Sequence, residues 1–284
     1  MFPVLFSIGP VHIYSFSVFL ILGWLVFSFV FWRHLRSQAV AEDRIFDLTF
    51  YGTLAALAGA RIGFAALHPE LFGGDLLAVA ALWVQPGLSL YGGLLAGLGM
   101  LVPMSRAYKV RLGHVLDGFG WAFPAAVLIG KVGSLLDGSE VGIPADIPWA
   151  ISYVGHVGRR HPIQAYEMLG LACILVLLMI FSRRAAAHKW PYGIIGIWFF
   201  MVFAPVMFVL EFLKESGVYL TLRANQWVQV FLFAEALGAF YVRGGGREAM
   251  RPVAGSVRRG AGQVLRGIYA KFPKRRSGEH PTSS

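Results

Sequence analysis

Charge is what this sequence has least of. Only 14% of its 284 residues are Asp, Glu, Lys or Arg, against about 25% in a typical soluble domain. That is too little charge to cover a water-facing surface. Cysteine is nearly absent: Cys173 stands alone, which excludes an intramolecular disulfide framework and any multi-cysteine metal site. Residues 1–9 carry no charged side chain. They lack the basic start of a cleavable signal peptide, so the first apolar stretch is expected to be retained. No inverted repeat of the kind that builds many transporters is visible. Apolar residues, by contrast, are in excess. The chain is 57% hydrophobic, with 23 Phe, 10 Tyr and 8 Trp, and its mean hydropathy is +0.63. This excludes intrinsic disorder and reads as a polytopic membrane protein.

A helix needs about 20 mostly apolar residues to cross about 30 Å of hydrocarbon. Seven stretches read as spans: 13–32, 47–67, 88–104, 115–136, 163–181, 192–213 and 227–242, the third and seventh being short. Helices are predicted, because an isolated segment in lipid must satisfy its own backbone hydrogen bonds. The fold class is therefore all-α, a polytopic membrane protein of about seven transmembrane helices. A transmembrane domain covers residues 1–242, and a basic, flexible cytoplasmic tail covers 243–284. The first outer connection holds a run over 76–83, too short to span, that predicts an interfacial helix.

The formal net charge is +10, and its distribution gives the orientation. One side carries Arg33, Arg36 and Arg44, then Arg106, Lys109 and Arg111, then Arg183, Arg184 and Lys189. The tail adds ten more, so that side holds 19 of the 25 cations. The opposite side has Arg159, Arg160, Lys214 and Arg223, while Arg61 and Lys131 fall inside spans. This predicts an outside N-terminus and a cytoplasmic C-terminus. The tail is read as a topology signal that also adheres to anionic membrane lipid, at about 1 kcal/mol per charge. Nucleic acid is not an expected partner, because no basic-aromatic fold accompanies the charges.

Ionisable groups at membrane depth are costly and by default mark function. Here they are Arg61, Asp117, Lys131, Glu167, Glu211 and Glu235. Most fall toward the outer ends of their spans; Asp117 and Glu235 do not. A shared outer-leaflet cavity accommodates the set, with Arg and Lys binding a phosphate and carboxylates orienting them or accepting a proton. Structural readings stand beside this one: Arg61 as a packing ion-pair partner, Glu211 with Lys214 as a helix-end pair, and Glu167 paired with Arg160. Asp117 and Glu235 are read as structural groups, and Cys173 as an ordinary buried residue. Glycines cluster at Gly59–Gly63, at Gly92-Gly93 and from Gly130 through Gly133 and Gly138 to Gly142. Such turns let backbone N–H groups approach an anion, and small residues equally permit close helix packing.

Taken in order, these motifs resemble the prolipoprotein diacylglyceryl transferases, roughly from Phe6 to Val242. The resemblance begins with Phe6-Ser7-Ile8-Gly9-Pro10 and continues through Gly59–Gly63 and Ser89–Gly93. The segment Gly130–Gly142 is similar to the family's glycine-rich signature. Arg160-His161-Pro162-Ile163-Gln164-Ala165-Tyr166-Glu167 is the most specific match, and Glu211-Phe212 and Gln226 follow it. The resemblance implies seven spans and transfer of a diacylglyceryl group at the outer leaflet of the bacterial inner membrane. The implied partners are phosphatidylglycerol and preprolipoproteins, whose lipobox cysteine thiol is the acceptor. Glycerol phosphate leaves and a thioether forms. No metal or cofactor is implied, and Cys173 is not the reacting thiol.

Several positions depart from the family pattern. Lys131 stands for Arg, keeping the charge without the bidentate fork. Ser134 stands for Asn, Tyr91 for His, Phe16 for Tyr and Met207 for Arg, and an acidic position is displaced to Glu140. For a working transferase the implied roles are these. Lys131 and Arg61, with Arg160 as a third, bind phosphate. His161 is the general base, imidazole being the side chain that ordinarily titrates near neutrality. Tyr91 donates to a departing oxygen, and Glu167, with Glu140 behind it, orients a cation. Gly133, Ser134, Gly142 and Glu211 complete the substrate-binding set. The alternative is a catalytically altered paralogue that binds lipid or uses another acceptor.

Overall fold

The computed structural model describes residues 2–243, apart from residues 10, 74, 83 and 216. The basic tail, with its expected adhesion to lipid, lies outside the described residues beyond Arg243. The helices are α1 (Ser15–Ser37), α2 (Glu42–Leu67), α3 (Leu76–Ala80), α4 (Leu90–Ala107), α5 (Leu112–Asp137), α6 (Ile163–Ala187), α7 (Ile194–Glu211) and α8 (Ala224–Arg243). Every predicted stretch is a helix. Five of them, α1, α2, α5, α6 and α7, are long and apolar enough to cross a membrane, as a multi-pass membrane protein requires. The other two long helices are less apolar, and α8 carries Asn225, Gln226, Gln229 and Glu235. The short α3 falls within the run expected to form an interfacial helix, and Asp75 caps it by accepting from the Leu77 N–H at 2.8 Å.

The chain is mostly helical, as expected, and among the described residues three antiparallel hairpins are added: β1 (Val4–Ile8) with β2 (Val11–Tyr14), β3 (Ile151–Ser152) with β4 (Arg159–Arg160), and β5 (Val218–Tyr219) with β6 (Leu222–Arg223). Backbone outside a helix must still find partners when it is buried, and these pairings supply them. The first helix starts at Ser15 because Ile13 and Tyr14 belong to β2. The N-terminal hairpin is anchored at its base, where the Phe2 N–H donates to the Leu136 carbonyl at 2.9 Å.

Residues 1–239 make up one compact unit. Its hub is α5, on which α1, α6 and α7 pack, while α2 lies along α4. The α2–α4 crossing depends on small residues: a Cβ on Gly92 would lie 2.5 Å from the Gly59 carbonyl oxygen. Between α5 and α7 an aromatic stack fills the space, with Phe123 against Phe203 at 5.8 Å and Phe199 against Phe203 at 5.1 Å between ring centroids. Cys173 is exposed rather than buried. The inward face of α6 is Gln164, Glu167, Leu171, Ile174 and Leu178, and Cys173 lies off that helical stripe.

Asp117 has a structural task. Its two carboxylate oxygens accept from the N–H groups of Gly193 (2.7 Å) and Gly196 (2.9 Å). These are orphan donors at the start of α7, and a carboxylate there also complements the helix dipole. Replacing Asp117 with Ala strands both donors in a buried site. Unfolding of the detergent-solubilised protein is expected to show a loss of about 2–3 kcal/mol, with Asp117→Asn intermediate. Unchanged stability in Asp117→Ala would remove this cap from the account.

Candidate active site

The chain leaves α5 through Gly138, whose φ of +76° gives the left-handed helix cap. It then runs extended between two other segments. On one side the Ile143 N–H donates to Leu213 O (2.9 Å) and the Glu215 N–H to Val141 O (2.9 Å). On the other side the His161 N–H donates to Ile143 O (3.2 Å) and the Ala145 N–H to Arg159 O (3.0 Å). Residues 141–145 thereby stitch the end of α7 to the start of α6. The approach is so close at Gly142 that a Cβ would lie 2.3 Å from the His161 carbonyl oxygen. Gly142 is thus fixed by backbone crowding.

This stitching gathers charge from four places. Lys131 comes from the last two turns of α5, Glu140 from the return after it, Glu167 from the start of α6, and Glu211 and Lys214 from the end of α7 and just beyond. Lys131 Nζ lies 2.5 Å from Glu140 Oε1 and 2.5 Å from Glu167 Oε2. Lys214 Nζ lies 2.8 Å from the other oxygen of each, Glu140 Oε2 and Glu167 Oε1. Two lysines and two glutamates therefore alternate in a closed ring. Glu211 Oε2 adds a third contact to Lys214 at 3.5 Å. The side chains are sequestered: Glu211 is 1% exposed, Glu167 4%, Lys131 7% and Lys214 13%, while Glu140 keeps 31%.

Glu140 and Glu211 are held from behind. The Gln164 amide donates to the Glu140 carbonyl (2.5 Å), and the Tyr153 hydroxyl donates to Gln164 Oε1 (2.8 Å). Ser134 Oγ is 3.4 Å from Glu140 Oε1 and 3.2 Å from Ser139 Oγ. Asn225 Nδ2 donates to Glu211 Oε1 at 2.8 Å, and the Arg223 guanidinium donates to the Glu211 carbonyl. Tyr91 is buried, and its phenol oxygen accepts from the Gln229 amide. Among the described residues the buried atoms Gln229 Oε1 and Arg160 Nε have no hydrogen-bond partner, so the region retains unused polar capacity.

The ring sets the protonation of its members outside the spans. Burial alone would raise the Glu140 carboxyl, but Lys131 and Lys214 outweigh it and hold the group well below its ordinary value of 4.5. Burial alone would lower Lys214, but Glu140, Glu167 and Glu211 hold it well above its ordinary 10.5. Tyr153, by burial first, is pushed up to about 12.

The sequence-predicted residues divide into groups. Lys131, Ser134, Glu140, Glu167 and Glu211 come together. Gly133 does not face the ring; a Cβ there would lie 2.6 Å from Phe19 Cβ, so it packs α5 against α1. Arg61 is engaged elsewhere: its guanidinium donates to the carbonyls of Ala78 (3.1 Å), Gly87 (3.1 Å) and Val79 and sits 5.0 Å from the Phe72 ring centroid. Arg160 bonds the Gly142 carbonyl at 3.1 Å and pairs with Glu215 rather than with Glu167. His161 is half-buried, and its Nδ1 is 3.1 Å from the Tyr166 hydroxyl, which accepts from Trp149 Nε1 at 2.7 Å.

Lys214 is the functional candidate that sequence reading missed. Its spacing of three from Glu211 shows a local helix-end pair, and that pair is present. The contacts to Glu140 and Glu167 depend on tertiary stitching that no local spacing displays. Asn225 and Gln229 were equally silent as support groups, and Gln164 stood within the Arg160–Glu167 match without an assigned role.

A sequence model described as prolipoprotein diacylglyceryl transferase matches residues 3–242. The chain is 30% identical over 256 residues to the phosphatidylglycerol–prolipoprotein diacylglyceryl transferase of Bordetella parapertussis, covering 84% of this chain and 94% of the relative. It is 29% identical over 254 residues to the protein of that name from Bordetella avium, covering 84% and 93%. With the one from Methylococcus capsulatus the identity is 28% over 236 residues, covering 80% and 87%.

Lys131→Met leaves three carboxylates facing one lysine, and is expected to cost about 3–5 kcal/mol in unfolding measurements. Adding Glu167→Gln to it should recover part of that loss; strictly additive effects would mean the groups are not coupled. The ring's own contribution to stability should be constant from about pH 5 to about pH 10. A depressed carboxyl loses its contribution as pH falls below its ordinary value, and a raised lysine loses it as pH climbs above its own.

Proposed function

The chain belongs to the prolipoprotein diacylglyceryl transferase family, and we propose that its Lys–Glu ring is where the lipid phosphate is handled. The reaction moves the diacylglyceryl group of phosphatidylglycerol onto a prolipoprotein cysteine. One bond forms, from the cysteine sulfur to the terminal glycerol carbon. One bond breaks, between that carbon and the phosphate oxygen. Glycerol phosphate leaves with the electron pair of the broken bond, and the thiol proton is carried away, so charge balances.

Such a step needs cations where negative charge develops. Lys131 supplies one. An ammonium has three N–H donors; Lys131 donates one to Glu140 and is also ion-paired with Glu167. Glu167 orients it from the rigid start of α6. The step also needs a thiolate, which is the reactive form. Glu140 is a poor proton acceptor for this, since Lys131 and Lys214 favour its charged form. His161 is the better base: it borders the stitched segment, and Tyr166 and Trp149 fix its Nδ1 side, which leaves Nε2 for the thiol. Tyr91, held by Gln229, keeps its own O–H for a departing oxygen. Arg61 orders the first outer connection through the Ala78, Val79 and Gly87 carbonyls and supports the site from outside the ring.

The finer topology is part of this reading: seven spans, N-terminus outside, C-terminus in the cytoplasm, in the bacterial inner membrane. The ring then faces the outer leaflet, where prolipoproteins emerge. The tail, residues 243–284, is a separate cytoplasmic extension whose ten cations bind anionic lipid. The observation that carries the functional reading is the buried lysine pair, within a family that acts on a phosphodiester lipid.

The deciding assay gives purified protein in detergent phosphatidylglycerol and a lipobox peptide. A mass gain of one diacylglyceryl group on the peptide cysteine, with glycerol phosphate released, is expected; an unmodified peptide with folded protein defeats the reading. Lys131→Ala is expected to lower kcat/KM by about 100-fold or more, with Lys131→Arg retaining most of it. His161→Ala is expected to lower kcat at neutral pH by about 100-fold. For topology, in a Cys173→Ala background, Gly155→Cys should react with an impermeant maleimide on spheroplasts, and Ser284→Cys only after lysis. The reverse pattern would invert the orientation.

A further inference from the structure

We infer that Lys214 and Lys131 together form the seat for the lipid phosphate, and that the Glu140 carboxylate occupies this seat until the lipid displaces it. This rests on the transferase reading above and assigns two residues within the same site.

Glu140 is bound as an incoming anion would be. One of its oxygens meets Lys131 Nζ at 2.5 Å and the other meets Lys214 Nζ at 2.8 Å, with Ser134 Oγ 3.4 Å from the first. A phosphodiester likewise presents two terminal oxygens that share one negative charge. Both ligands therefore satisfy the same two ammonium groups and one hydroxyl, with charge-assisted hydrogen bonds. No other cation is on offer from α7, whose sequence holds neither Lys nor Arg. Lys214 is the first cation after it.

Of the three carboxylates that face Lys214, Glu140 is the one able to leave. Glu167 sits in α6 at 4% exposure, and Glu211 is 1% exposed and held by Asn225. Glu140 lies on a non-helical return, and 31% of its side chain is exposed. Its backbone carbonyl is pinned by Gln164, so departure needs only rotation of the side chain.

Charge explains why it must leave. Two lysines already face three carboxylates, a formal −1. Adding a phosphodiester to that set brings a fourth anion against two cations, a like-charge crowding that a buried site penalises heavily. Exchanging Glu140 for the phosphate leaves the count unchanged. The return after α5 thus acts as a placeholder: it keeps the lysines neutralised when no lipid is present and gives way without a net change of buried charge. Lys214 contributes to both states, holding Glu140 in one and the phosphate in the other.

Binding of dioleoyl phosphatidylglycerol to detergent-solubilised protein tests this, with folding checked by thermal unfolding. Glu140→Gln removes the competing anion and is expected to tighten binding by about tenfold, while Lys214→Met weakens it by about tenfold or more. Lys214→Arg keeps the charge and should stay within about threefold of the parent. Unchanged or weaker binding in folded Glu140→Gln overturns the placeholder. Binding by Lys214→Met equal to the parent overturns the seat. If Lys214→Met does not fold, the double variant Glu140→Gln/Lys214→Met, which restores the starting charge, is compared with Glu140→Gln, and equal binding overturns the seat. Peptide transfer is scored separately. A parent protein that shows this binding pattern without transfer defeats the transferase reading alone, and transfer without the pattern defeats this inference alone.

Discussion

Two ammonium groups and three carboxylates lie within hydrogen-bonding reach of one another in a protein that has almost no charge to spend. Taking such groups out of water costs several kcal/mol per ion, and mutual attraction repays this only when geometry and hydrogen bonding are nearly complete. In the Lys131–Glu140–Lys214–Glu167 ring each charge has at least two opposite partners. That arrangement explains why the surroundings are so heavily organised. Gln164, with Tyr153 behind it, and Ser134 fix Glu140, and Asn225 fixes Glu211; none of them is needed to make a bundle of apolar helices.

The ring also explains the non-helical parts of the chain. Its members come from the ends of three helices and from a return between them, so helix packing alone does not bring them together. The extended segment 141–145 does so by pairing with residues 213–215 on one edge and 159–161 on the other. At Gly142 the strands are too close for any side chain. Far from the ring, Asp117 fixes the start of α7 and so contributes to where its other end falls. The hub position of α5 serves the same end, because Lys131 sits on it.

The helical framework was legible in the sequence because the bilayer leaves few choices. Apolar length gave the helices, and among the polar residues singled out, Lys131, Glu140, Glu167 and Glu211 do converge. Other features were hidden for physical reasons. Lys214 looked local because Glu211, three residues before it in sequence, is also a neighbour in space; its more distant partners depend on pairing between loops. Arg61 looked like a phosphate ligand by charge and depth, yet its donors are used by the carbonyls of a connection 17 to 26 residues away. Glycine punctuation was ambiguous by nature: Gly133 packs helices, while Gly142 permits a backbone crossing. The departures Lys131, Ser134 and Tyr91 are each accommodated by a contact, to Glu140 and Glu167, to Ser139 and Glu140, and to Gln229.

The central claim is that the lipid phosphate is handled by the lysines of the ring. A structure of the protein in nanodiscs containing phosphatidylglycerol tests it most directly. The account predicts phosphate density within hydrogen-bonding distance of both Lys131 Nζ and Lys214 Nζ, with the Glu140 side chain turned away from them. Phosphate density at Arg61 instead, with the ring intact and Glu140 still bridging the two lysines, would contradict it.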